Sequence, residues 1–205
     1  LIVSADSHVI EVPDLWEKGM PASFRDRAPK AFFDQKRDAW MFGSPEVPIQ
    51  AVGGLFMAGQ RPDQLESFHR AGFSVARPGG WDPIVRMQDM EQDGVSAEVL
   101  YPSLGLGFYC IEDAEFQEAL FRTYNDWLID YCQKVPDRLY GIALLSMYNI
   151  EHAIAEMARC KKQGIVGTMI WQVPDPKLPF TADHYERFWA ASQDLELPVH
   201  LHILT

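Results

Sequence analysis

The sequence predicts an α/β fold, a TIM (β/α)8 barrel, with this chain supplying about the first five strands. Three observations carry the prediction. From residue 81 onward, short apolar runs alternate with helix-periodic segments through short connections. The runs are apolar along their length rather than at every second position, as expected of parallel strands covered on both faces. The first and last apolar runs of the chain, at residues 2–8 and 198–203, end in metal-capable side chains two residues apart, Asp6 with His8 and His200 with His202. Residues i and i+2 of a strand share a face. In a barrel the active residues sit at the C-terminal strand ends, and strands one and five lie opposite one another, so these pairs can converge on one ion. A doubly wound sheet brings them together less naturally. Five strands do not close a barrel, so the chain is expected to be the front part of a longer protein or to lack its tail.

The elements are taken in chain order. Residues 2–8 read as strand one, opened by Ile2 and Val3. Pro13-Asp14-Leu15-Trp16 looks like a short helical turn. Residues 21–80 have poor periodicity and scattered Pro, Gly and aromatics, with a hairpin suggested at 31–42. So long a stretch reads as an insertion, functional lid or oligomer contact within one domain spanning 1–205. Trp40, Phe42, Phe56 and Phe73 would suit a dimer contact or a lid. Its Gly53-Gly54 segment lacks the Lys-Ser/Thr ending and glycine spacing of a phosphate loop.

Asp82 is placed to cap a helix that Pro83 begins, with Ile84, Met87 and Met90 on one face and Gly94 as its stop. Residues 95–101 read as strand two, and 102–110 as a glycine-containing loop. A helix over 112–134 has Phe116, Leu120, Tyr124, Trp127 and Tyr131 as its apolar stripe, read as core. Strand three spans 140–145, a helix 150–162, strand four 167–171, a helix 183–195 and strand five 198–203.

Composition narrows the function. With 18 basic and 29 acidic residues the net charge is −11, which argues against a phosphate-backbone partner such as nucleic acid. No apolar run approaches the ~20 residues that span a bilayer, and no secretory leader is visible. Cys110, Cys132 and Cys160 are widely spaced without a CxxC, which suits reduced core or surface thiols in a cytoplasmic protein.

A carboxylate beside an imidazole is half of a divalent-metal site. Asp6, His8 and His202 are therefore read as ligands; Asp6 could alternatively orient His8 from outside the coordination sphere. His200 lines the pocket or packs under the barrel floor. Glu11 reaches substrate or metal, or caps the Asp14 turn. Trp171, ending strand four, walls a substrate pocket or joins the core. Arg77 could meet a substrate carboxylate. His69, His152 and His184 read as surface residues.

Several motifs also resemble a known family. Ala5-Asp6-Ser7-His8-Val9-Ile10-Glu11-Val12-Pro13-Asp14-Leu15-Trp16, Gly79-Gly80-Trp81-Asp82-Pro83, Tyr124-Asn125-Asp126-Trp127, Pro136-Asp137-Arg138-Leu139-Tyr140-Gly141 and Leu197-Pro198-Val199-His200-Leu201-His202 are similar, in this order, to the amidohydrolase-related proteins grouped with aminocarboxymuconate semialdehyde decarboxylase. The resemblance implies a TIM barrel with one catalytic zinc or manganese ion and a small-molecule substrate. Such enzymes hydrolyse lactones and related bonds, hydrate, or decarboxylate small acids non-oxidatively. The family's strand-one His-x-His or Glu-x-His falls on Asp6 and His8, a departure that keeps two ligand-capable side chains. Its strand-five His falls on His202, and its strand-eight Asp, the expected general base, lies outside this sequence. The resemblance thus implies a metal-dependent hydrolase of the amidohydrolase superfamily working through a metal-activated water. The alternative is a non-oxidative decarboxylase, and a metal-free scaffold is a remote third.

Overall fold

Five strands, β1 (Val3–His8), β5 (Ala97–Tyr101), β6 (Leu139–Leu144), β7 (Gly167–Ile170) and β8 (Val199–Leu201), form one parallel sheet in the order β1-β5-β6-β7-β8. These are the five strands expected from the sequence. The structure, a computed structural model, describes residues 1–57 and 59–203. Three strands separate β1 from β8, yet the rings of His8 and His202 stand 5.1 Å apart. Strands are spaced about 4.8 Å apart, so a flat sheet would hold its edges roughly 19 Å from each other. The sheet is therefore curled, and its C-terminal edge forms half of a barrel mouth.

Helices cover the outside, and their ends are set by local sequence. In α3 (Pro83–Asp93), the Asp82 carboxylate accepts from the Ile84 and Val85 amides, and Gly94 closes the helix at φ 72°. In α4 (Ala114–Gln133), Asp113 caps by accepting from the Phe116 amide; in α5 (Ile150–Lys162), Asn149 accepts from Glu151 and His152. α6 (Glu186–Asp194) comes after a single 3-10 turn. On α4, Phe116, Leu120, Tyr124 and Tyr131 are buried as the stripe predicted, while Trp127 is half-buried. Asn125, fully buried on α4, gives and receives hydrogen bonds with the Leu144 backbone at the end of β6 (3.0 and 2.8 Å). One amide side chain thus anchors a helix to a strand end.

The segment 21–80 is more regular than its sequence suggests. The expected hairpin exists as β2 (Lys30–Asp34) and β3 (Ala39–Ser44), and β4 (Val47–Ala51) extends it to a three-stranded antiparallel sheet. Ala39, Met41, Phe42 and Gly43 are all buried on β3, so no polar alternation marks it as a strand. Of the four aromatics expected at a dimer contact or lid, Phe42 and Phe56 are buried and Trp40 and Phe73 half-buried. Phe42 packs on Trp16 of α1 (Leu15–Gly19) and on Phe108, with ring centroids 5.4 and 6.5 Å apart. Phe56 meets Phe73 at 5.1 Å. Trp40 lies over Gly72, in the helix-terminating φ +56° conformation after α2 (Leu65–Ala71), where a Cβ would come within 2.4 Å of the indole. Among the described residues no helix is long and apolar enough to cross a membrane, and all three cysteines are free.

Candidate metal centre

β1 delivers Asp6 and His8 to the mouth from one side, and the residue just past β8, His202, arrives from the other. Asp6 Oδ1 lies 3.5 Å from His8 Nε2 and 3.4 Å from His202 Nε2. One ligand atom from each of the three falls within 4.8 Å of the others. With metal–ligand bonds of about 2.0–2.1 Å, tetrahedral donors sit roughly 3.3–3.4 Å apart. The two Asp6 separations match that spacing.

The tautomers agree with it. A carbonyl oxygen can only accept, so His8 Nδ1, 2.6 Å from the Pro102 carbonyl, carries a proton and donates. His202 Nδ1 does the same to the Ile203 carbonyl at 2.6 Å. Each ring thus presents Nε2 to Asp6, the nitrogen left to bind a metal. His8 and His202 meet edge to face at 82° rather than stacking. Asp6 is well exposed and open to a ligand from the mouth side. The residues fit a divalent cation.

Tyr101 completes the wall, a residue that sequence reasoning did not single out. Its ring stands 5.2 Å from His202 and 6.0 Å from His8, and its hydroxyl lies 2.7 Å from His200 Nδ1. Burial, and then the Asp6 charge, push the phenol up, so it stays protonated and donates. Burial, and then His202, push the His200 imidazole down. His200 thus accepts on Nδ1 and points Nε2 toward Gly167, where a Cβ would lie 2.6 Å away. It sits on the inner wall beside the ligands, half-buried. The available signal was positional: Tyr101 ends its strand in register with His8.

The other expected substrate contacts lie elsewhere. Glu11 is fully buried, and its carboxylate accepts from the amides of Ser103, Leu104 and Gly105. Burial pushes this carboxyl up against the pull of those amides. The Arg77 guanidinium is paired with Asp89 on the outer helix α3. Trp171 lines a cavity of about 550 Å³ with Tyr109, Tyr148, Phe180 and Tyr185, whose walls do not include Asp6, His8 or His202. Of the remaining histidines, His152 pairs with Glu118 on the surface, whereas His69 is half-buried rather than exposed.

Comparison with known proteins bears on this geometry. A γ-resorcylate decarboxylase from Polaromonas sp. (strain JS666) is 32% identical over 124 residues, which cover 57% of this chain and 37% of that protein. An amidohydrolase structure from Mycobacterium avium subsp. paratuberculosis K-10 superposes with a TM-score of 0.71 at 18% identity, over 98% of this chain and 57% of that one. A dihydroxybenzoic acid decarboxylase structure from Polaromonas sp. JS666, with bound manganese and 2-nitroresorcinol, gives a TM-score of 0.60 at 21% identity, over 98% of this chain and 48% of that one. The chain spans about half the length of these solved structures, and the likeness shows the barrel fold. The Amidohydrolase family model matches residues 8–204, nearly the whole sequence and including the His8 and His202 that face each other across the mouth, so this chain belongs to the amidohydrolase family.

Proposed function

We propose that Asp6, His8 and His202 hold one catalytic zinc or manganese ion, and that the protein removes the carboxylate of a small aromatic acid as carbon dioxide. The observation that carries the metal assignment is the pair of Nε2 atoms facing a shared carboxylate oxygen. The choice of reaction is supported by the γ-resorcylate decarboxylase relative and by the manganese in a dihydroxybenzoic acid decarboxylase of the same fold. When bound, such an ion supplies Lewis-acid stabilisation of negative charge on substrate oxygens. The ring–carboxylate bond breaks, its electron pair remains on the ring carbon, a proton takes its place and carbon dioxide leaves; no oxidant is required. The chain's own residues orient the ligands: the Pro102 and Ile203 carbonyls fix both imidazole tautomers. Tyr101 and His200 form a hydrogen-bonded wall beside them. His200, expected to meet substrate, instead holds the Tyr101 hydroxyl beside the ligands, and Trp171 borders a separate aromatic cavity.

A hydrolytic reaction at the same three ligands, through a metal-activated water, is the second reading, favoured by the family match. Incubating the manganese- and zinc-loaded protein with dihydroxybenzoates, and separately with lactones and aryl esters, distinguishes the two. Carbon dioxide release that disappears in His202→Ala supports decarboxylation. Lactone or ester cleavage without carbon dioxide release overturns it in favour of hydrolysis.

A further inference from the structure

We infer that Glu11 is a positioning residue for the metal ligand His8, acting through the turn at residues 102–105; this rests on the reading of His8 as a ligand. Glu11 lies three residues beyond His8, past the end of β1, with no exposed surface. Its two oxygens accept from the Ser103 amide at 3.2 and 3.3 Å, from Leu104 at 2.9 Å and from Gly105 at 2.9 Å. Three successive backbone donors aimed at one carboxylate make a nest for an anion, here supplied by the chain itself.

The residue just before that nest is Pro102, whose carbonyl accepts the His8 Nδ1 proton at 2.6 Å. Proline has no N–H of its own, so a backbone donor cannot tether it from within. Its neighbours are tethered instead. The Ser103 hydroxyl donates to the Val9 carbonyl at 2.7 Å, and the Val9 amide donates to the Tyr101 carbonyl at 2.9 Å. The turn and the end of β1 are thus closed into a ring of bonds with Glu11 at its centre. The imidazole hydrogen bond that selects the metal-binding tautomer of His8 is one member of that ring.

A simpler role, capping the 3-10 turn Gly105–Cys110, accounts for the bonds to Leu104 and Gly105. It does not involve His8. The two roles differ in what they move: a cap affects stability alone, whereas a positioning residue also affects the His8 tautomer and metal affinity.

The test compares Glu11→Gln, which turns an amide group toward the same donors, with Gly105→Ala. The second keeps Glu11 but crowds it, since its new Cβ would sit 3.0 Å from the Pro102 side chain, 3.1 Å from that of Leu144 and 3.3 Å from Glu11 Oε1. Manganese and zinc dissociation constants are measured by chelator competition on the whole protein. The His8 tautomer is read by ¹⁵N NMR of the metal-free protein, its signals assigned by their loss in His8→Ala. Loss of an outer partner weakens metal binding about 10- to 100-fold. We expect that range for Glu11→Gln and a smaller rise in the same direction for Gly105→Ala. We also expect protonated Nε2 to appear where wild type shows only protonated Nδ1. If Glu11→Gln does not fold, Gly105→Ala decides. Wild-type dissociation constants and an unchanged Nδ1–H signal in a folded variant overturn the inference while leaving the metal centre standing. Wild-type protein that takes up neither metal overturns the reading beneath it.

Discussion

His8 and His202 come from the two edge strands of a five-stranded sheet, and their imidazoles meet edge to face at 5.1 Å. That contact joins fold to function. It requires the curl that makes the sheet half a barrel, and it aims two Nε2 atoms at one Asp6 oxygen.

Asp6 separates affinity from stability. Its side chain is 68% exposed, so Asp6→Asn should change unfolding free energy by no more than about 0.5 kcal/mol. Metal affinity should fall by more than the roughly 10- to 100-fold typical of an outer partner. Chelator competition and urea unfolding on the same preparation check both halves.

The pair Arg86–Glu98 supports the same strand end from behind. The guanidinium pairs with Glu98 on β5 and donates to the His8 carbonyl at 3.1 Å, and Glu98 accepts from the Ser7 hydroxyl at 3.1 Å. Both side chains are nearly buried, at 11% and 12% exposed. Glu98→Gln leaves a buried cation without its counter-charge and should cost about 3–5 kcal/mol. A loss under 1 kcal/mol in urea titration would show that water or another group takes over the pairing.

Asn125→Leu should be comparably severe. Asn125 satisfies both the amide and the carbonyl of Leu144 and donates to Glu156 at 2.9 Å. Leaving buried backbone groups unpaired costs about 1–3 kcal/mol each, so a total of roughly 2–6 kcal/mol is expected. Denaturant unfolding checks it, with Asn125→Asp as a companion that keeps an acceptor for the Leu144 amide but adds charge beside Glu156.

Acid should weaken the α4–α5 junction through Glu156. Burial works against its charge, but Arg159, Asn125 and Arg122 outweigh it, and the carboxyl lies below its ordinary 4.5. A depressed folded-state value means that the stabilisation is present above about pH 4.5 and is lost as pH falls through the folded-state value. Melting temperature tracked downward from pH 6 should therefore drop less steeply in Glu156→Gln than in wild type. Parallel curves would remove Glu156 from the acid response.

Much of this was legible in the sequence because local chemistry and tertiary structure agree. Asp82, Pro83 and Gly94 mark α3 by capping rules, and those bonds form. The spacing of Asp6 with His8, and the place of His202 at the last strand, indicated which side chains meet. Tyr101 escapes a sequence reading because an aromatic at a strand end reads as core unless the register with His8 is known. For Glu11 the sequence leaves a substrate or metal contact and a cap on the Asp14 turn both open, because its partners lie more than 90 residues away and are backbone amides, which leave no mark in the sequence. The β2–β4 sheet was only partly visible, since β3 is covered on both faces and loses the alternation that signals a strand.

The central claim is that Asp6, His8 and His202 form a metal centre, and elemental mass spectrometry of the purified protein tests it most directly. Wild type should carry about one zinc or manganese ion per chain, and His8→Ala and His202→Ala, still folded by circular dichroism, should carry almost none. Metal absent from wild type even after reconstitution, or retained undiminished in both variants, would contradict the account.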